Sequence, residues 1–397
     1  MPKKLVAICL SNFLIAALMG LLLRFVSIYP LSINYRFFTH AHSHTAMLGW
    51  AYLMLYILIV HYFVQEKKTI YIRLFWTTQV SVWGMMFSFP FQGYAAISIT
   101  FSTLHIICSY IFIFLIWKKL KAKSYVSSVL LKTALLFMAV STLGVWCLGP
   151  AVGLYGNTSD FYQVAIQFFL HFQFKGWFLF AVIGVFFHIL NIQDSKQFRV
   201  FYRILLLSTV LTFALPLYWY FPNKLFYWLN ALGVIFQITA LFIFLKIIKF
   251  SFHTILAKTS KLEIYLYSFS SLCFCLKAVL QLGSLFPEFS QIIYQHKLYV
   301  IGFIHLLMLG VITGFLFAFM MRNKLISSSA ATSVGVYSFI IGFVLTEFLL
   351  LVQGYLYYTN EPIISNFNMF LFIASIFLPL GIMFLLKNLI TQKNHAT

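Results

Sequence analysis

The residues best suited to chemistry in this chain are histidines. His40, His42 and His44 crowd into "THAHSHTAMLGW", while His105, His171 and His305 stand singly in apolar runs. Neutral imidazole is the commonest metal ligand and a frequent haem ligand, so such a set points toward metal, haem or proton chemistry. The intervals match no zinc pattern. Cys9, Cys108, Cys147, Cys273 and Cys275 all lie in apolar runs, where a thiol behaves as a small buried hydrophobe. The remaining candidates are Lys175 in "HFQFKGW", Lys277 and Gln281 four residues apart in "CLKAVLQLGS", and Glu347 with Gln353. A lone charge in lipid costs roughly 2.5 to 3.5 kcal/mol, so each must face a bundle interior, water or a partner. An ion pair between Lys277 and Glu347 is the simplest solution.

The elements that hold these residues must be membrane helices. Hydrophobic residues make up 62% of the 397 and charged residues 9%, too few to cover a water-soluble surface. Apolar runs long enough to cross a hydrocarbon core at 1.5 Å per helical residue recur from end to end. None shows the short alternating segments of a barrel. The runs predict twelve helices, near 5–29, 41–64, 70–90, 94–117, 126–149, 161–190, 200–220, 225–248, 262–286, 298–321, 331–353 and 366–387. Connections are short, so residues 1–397 form one all-α transmembrane domain, and no internal repeat is readable.

Basic residues orient this bundle. The even connections and the termini carry Lys3, Lys4, Lys67, Lys68, Arg73, Lys118, Lys119, Lys121, Lys123, Lys196, Arg199, Arg203, Lys246, Lys249, Lys258, Lys261, Arg322, Lys324, Lys387 and Lys393. The odd connections carry only Arg36, Lys224 and Lys297. Positive charge favours the cytoplasmic side, which places both termini there. The formal charge of +20 is scattered rather than gathered on one domain, which excludes a nucleic-acid surface and leaves anionic lipid as its partner. On this topology helices two, four, six and ten start outside, so His44, His105, His171 and His305 all fall in the outer half. His40 and His44 share one helix face and His42 another. His61, His188 and His253 fall at cytoplasmic ends.

At these residues the chain resembles a family. Twelve helices, "HSHTAMLGW" on helix two and "IGFIHLLMLGVITGFLF" on helix ten look like subunit I of the haem-copper oxidases, closest to the cbb3-type and nitric oxide reductase branch. The resemblance implies a low-spin haem b clamped by His44 and His305. It places His171 at a copper-ligand position, and makes His40, His42 and His105 further metal candidates. It implies that Lys175 or Lys277 could meet a haem propionate. Two departures are plain: Phe303 stands where the family has its high-spin haem ligand, and the seventh run, 200–220, lacks the paired copper histidines. Dioxygen reduction is therefore not expected, and copper has few ligands left. "HAHSH" also resembles the helix-two "HAHE" of the NnrS family of twelve-helix haem proteins.

The resemblance implies electron transfer or nitric oxide and oxygen handling in a bacterial cytoplasmic membrane, with a cytochrome or other respiratory subunit as partner. Two other classes stand beside it. A proton-coupled transporter would use Lys277, Glu347 and the histidines as its path, although no broken-helix pair supports it. A structural or assembly partner of a respiratory complex would need none of them.

Overall fold

The computed structural model describes residues 2–65, 69–122, 124–256 and 259–391. Lys67, Lys68, Lys123, Lys258 and Lys393 of the charge pattern lie outside the described residues. Among the described residues twelve long helices follow one another: α1 (Lys3–Val26), α2 (Tyr35–Phe63), α3 (Thr69–Gln92), α4 (Ala96–Lys119), α5 (Tyr125–Tyr155) and α6 (Asp160–Ile189). Then come α7 (Lys196–Tyr220), α8 (Lys224–Leu256), α9 (Lys261–Leu285), α10 (Leu298–Arg322), α11 (Ala330–Thr359) and α12 (Phe367–Thr391). A short helix, Pro287–Gln295, joins α9 to α10, and the described residues contain no strand. Eleven of the twelve are long and apolar enough to cross a membrane. The exception is α3, of equal length but diluted by Arg73, Thr77, Thr78, Gln79 and Ser81.

Helix starts follow from local chemistry. Asn34, Ser124, Ser159, Ser195, Ser260 and Ser329 each accept a hydrogen bond from the backbone N–H three residues on, satisfying a donor that the first turn leaves unpaired. Between α6 and α7 the exposed Asp194 carboxylate accepts three hydrogen bonds from the Arg199 guanidinium, which hold it below the usual carboxylate range.

The helices fall into a centre and a rim. In α2, α6 and α10 the most apolar stretch is 78%, 83% and 61% buried, against 33% to 44% in the other eight spans. These three helices touch one another, and the rest form three arcs around them: α3–α4–α5, α7–α8–α9, and α11–α12–α1. Each arc encloses a bay with two central helices as its inner wall.

The three central helices repeat one pattern. Each passes into π-helix immediately after a histidine: His44 before Thr45–Tyr52, His171 before Phe172–Phe178, and His305 before Leu306–Thr313. Five residues after each histidine stands a glycine, Gly49, Gly176 and Gly310, and seventeen after it a basic residue, His61, His188 and Arg322. The glycines let rim helices close in. A Cβ at Gly49 would lie 2.9 Å from Val82 of α3 and 3.0 Å from Asn12 of α1; at Gly310, 2.8 Å from Cys273 of α9 and 2.9 Å from Phe343 of α11. At Gly176 it would lie 2.6 Å from Phe137 of α5. Among the described residues the bundle thus repeats one arrangement three times, a central helix with a histidine, π turn and glycine beside an arc of three rim helices, which the sequence reading did not make out.

Candidate functional site

A π turn bonds residue i to i+5, widening the helix and releasing backbone groups, and such turns gather at functional sites. Here they divide each central helix into unlike halves. From the histidine through the π turn and beyond, nearly every residue is buried on all sides. Before it, residues 298–305 of α10 are all partly accessible, as are most of residues 162–170 of α6 and 37–44 of α2. Helices at the centre of a bundle are accessible all round only where space reaches them, so the three bays are open in the half that carries the histidines.

The first bay, walled by α2 and α6, holds His40, His44 and His105. His44 Nδ1 lies 2.9 Å from the His40 carbonyl, which only accepts, so this nitrogen carries the proton. The Tyr94 hydroxyl then donates to His44 Nε2 at 3.3 Å. The His44 ring packs on Phe89 with centroids 4.6 Å apart, and the His40 ring on Tyr94 at 4.7 Å. His105, on α4, is 4% exposed, its ring edge-on to Tyr52 and its Nε2 without a hydrogen-bond partner.

The second bay, walled by α6 and α10, holds His171, Lys175, Lys277 and Gln281. His171 Nε2 donates to the Thr209 carbonyl of α7 at 2.8 Å. Lys175 Nζ donates to Gln281 Oε1 at 3.1 Å. Both Lys175 Nζ and Lys277 Nζ lie 5.8 Å from the ring centroid of Phe303. A ring face returns only ~0.5–2 kcal/mol to each cation, less than the insertion cost of the charge.

The third bay, walled by α10 and α2, holds His305, Glu347 and, on its far wall, His42. Glu347 Oε1 of α11 lies 3.9 Å from His305 Nδ1. His42 Nδ1 donates to the Ala16 carbonyl of α1 at 2.8 Å, and its ring lies against Gly20, where a Cβ would come within 2.9 Å of Cε1. His305 is within electrostatic reach of His42 and of Arg24, and Arg24 of Glu347. Nearby, Gln353 Oε1 accepts from the Ile364 backbone N–H at 3.1 Å.

Three expectations therefore meet a different geometry. No ion pair joins Lys277 to Glu347 among the described residues; the glutamate sits by His305 and Arg24, the lysine by Phe303. His40, His42, His105 and His171 do not converge: they are spread over three bays, and no group of three or more His, Cys, Asp or Glu among the described residues could hold a metal ion. His44 engages Tyr94, and the helix-two histidine that shares a bay with His305 is His42.

The opposite end of the bundle carries polar residues, of which the sequence reading left aside Asn323 and Glu263. Asn323 donates to the Tyr62 hydroxyl at 2.8 Å, the His188 ring packs on Phe63 at 4.5 Å, and Glu263 is 5% exposed beside Arg322. Asn12 and Gln79 were missed as well. Asn12 Nδ2 donates to the Gly49 carbonyl in the π turn of α2 at 3.0 Å and to Gln79 Oε1 at 2.8 Å, and Gln79 Nε2 returns a bond at 3.2 Å. An amide in the first helix and another in the third were the available signal.

No protein-family model matches the chain, and no curated protein matches it.

Proposed function

We propose that this is a twelve-span haem-binding protein of the bacterial cytoplasmic membrane that carries electrons, with a b-type haem in the third bay between His42 and His305. The single observation behind this reading is that His42 and His305, on central helices that touch, lie within electrostatic reach of each other. His42 gives its Nδ1 proton to a backbone carbonyl, and His305 turns Nδ1 toward a carboxylate, which leaves both Nε2 lone pairs for a ligand. Ligating histidines are commonly held in this way by their second nitrogen. Gly20 leaves room for the His42 ring, and Arg24 offers a cation to a haem carboxylate. A bis-imidazole haem supplies one-electron chemistry and leaves no open iron position. The family resemblance and the outward orientation of the histidine half, from the Lys and Arg pattern, support the same reading. So does α3 as a twelfth span, with Gln79 turned inward onto Asn12.

The test is the visible spectrum of protein purified from haem-replete cells. His42→Ala and His305→Ala should each abolish a low-spin b-type spectrum, and His44→Ala should preserve it. A haem-free preparation sinks the proposal. Loss in His44→Ala with retention in His42→Ala would instead restore the assignment implied by resemblance.

A further inference from the structure

The second bay contains a group of donors that the haem reading does not use. Lys277 is 2% exposed, Gln281 5% and Lys175 9%, on two helices that face each other across Phe303. Lys175, Lys277 and His171 lie within electrostatic reach of one another. The acceptor in the group, Gln281 Oε1, is engaged by Lys175, and His171 Nε2 is spent on the Thr209 carbonyl. What remains toward the bay is the N–H groups of two lysine amines and of a carboxamide.

Counter-charge is scarce. The chain has seven acidic residues; Glu66 lies outside the described residues, Glu347 serves the third bay and Glu263 the opposite end. Asp160, Asp194, Glu288 and Glu361 sit at helix ends or in connections. No ion pair involving Lys175 or Lys277 occurs among the described residues. Phe303, an apolar residue on a central helix, is nevertheless partly accessible, so space opens beside both cations.

We infer that Lys175, Lys277 and Gln281 form a buried receptor for a carboxylate or small oxyanion. An acceptor-only, negatively charged group satisfies every free donor and favours the ammonium form of both lysines, as neither a cation nor an apolar molecule would. The proposal does not depend on haem in the third bay. Two sources share this chemistry, a free anion and the carboxylate of a haem.

Sodium nitrite and sodium acetate, titrated calorimetrically into the full-length protein in detergent, separate them, with sodium chloride fixing ionic strength. Saturable binding is expected, weakened at least about tenfold by Lys175→Met or Lys277→Met and unchanged by Lys132→Met, whose cation lies over Trp117 on the rim. Lys277→Arg keeps the charge, should bind, and provides a folded comparator if the methionine variant fails to accumulate. Equal binding in haem-replete and haem-depleted preparations identifies a free anion; binding only after haem depletion identifies a haem carboxylate. No binding in either preparation, or parental binding by folded Lys175→Met, overturns the proposal.

Discussion

Replacing Asn12 by Ala tests whether the α2 π turn is held from outside. Asn12 makes three hydrogen bonds: one to the Gly49 carbonyl and a reciprocal pair with Gln79, at 3.0, 2.8 and 3.2 Å. Asn12 is 1% exposed and Gln79 0%, so water does not replace what is lost. Interhelical hydrogen bonds in membranes average about 0.6 kcal/mol, with a ceiling near 1.7. Three bonds then give about 2 kcal/mol for Asn12→Ala before any cavity term, and two give about 1 kcal/mol for Gln79→Ala. The double variant loses the same three bonds, not five. A cycle should therefore return a coupling of about 1 kcal/mol, the worth of the shared pair. Unfolding in mixed detergent micelles, followed by circular dichroism, reads all four states. Strict additivity would mean that the two amides never meet, and that α3 is not held against α1 by this contact.

Two further outcomes follow from the packing. Gly176→Ala should destabilise by about 1–3 kcal/mol in the same assay, because the new methyl lies 2.6 Å from Phe137, whereas Gly153→Ala, which meets nothing within 4 Å, should be neutral or slightly stabilising. Lys277→Met and Glu347→Gln should add within about 0.5 kcal/mol in a double-mutant cycle, since the two side chains have separate partners; strong coupling would restore an ion pair between them.

Much of the bundle was legible because lipid imposes one rule per helix: about twenty apolar residues with charge at the ends. That rule located every long helix, including α3, whose polar residues lower its hydropathy without shortening it. It also placed His44, His171 and His305 in one half. What it could not supply was which residues meet. Hydropathy is blind to a bay, and so it joined Lys277 to Glu347, the simplest opposite charges, although their partners Phe303 and His305 look into different bays from α10. The π turns left no mark on composition, because an i to i+5 turn uses the same apolar residues as an α turn. The repeat was present in the sequence as His, Gly five later and a basic residue seventeen later. Without the structure, three such coincidences in so apolar a chain carry little weight.

The helical period explains why His42 and His44 of the second helix serve different bays. Two residues turn a helix by about 200°, so positions two apart look into opposite bays. On α10, Phe303 faces the lysines of the second bay while His305 faces Glu347 in the third. On α2 the same offset sends His44 toward Tyr94 in the first bay and His42 toward α1 in the third. A central helix therefore serves the bay after it with its π-turn histidine and the bay before it with the residue two positions earlier. Of the three earlier positions, His42, Phe169 and Phe303, only that on α2 carries an imidazole. Paired imidazoles on opposing central helices consequently arise in the third bay, whereas the second bay meets the phenyl ring of Phe303, around which the two lysines gather.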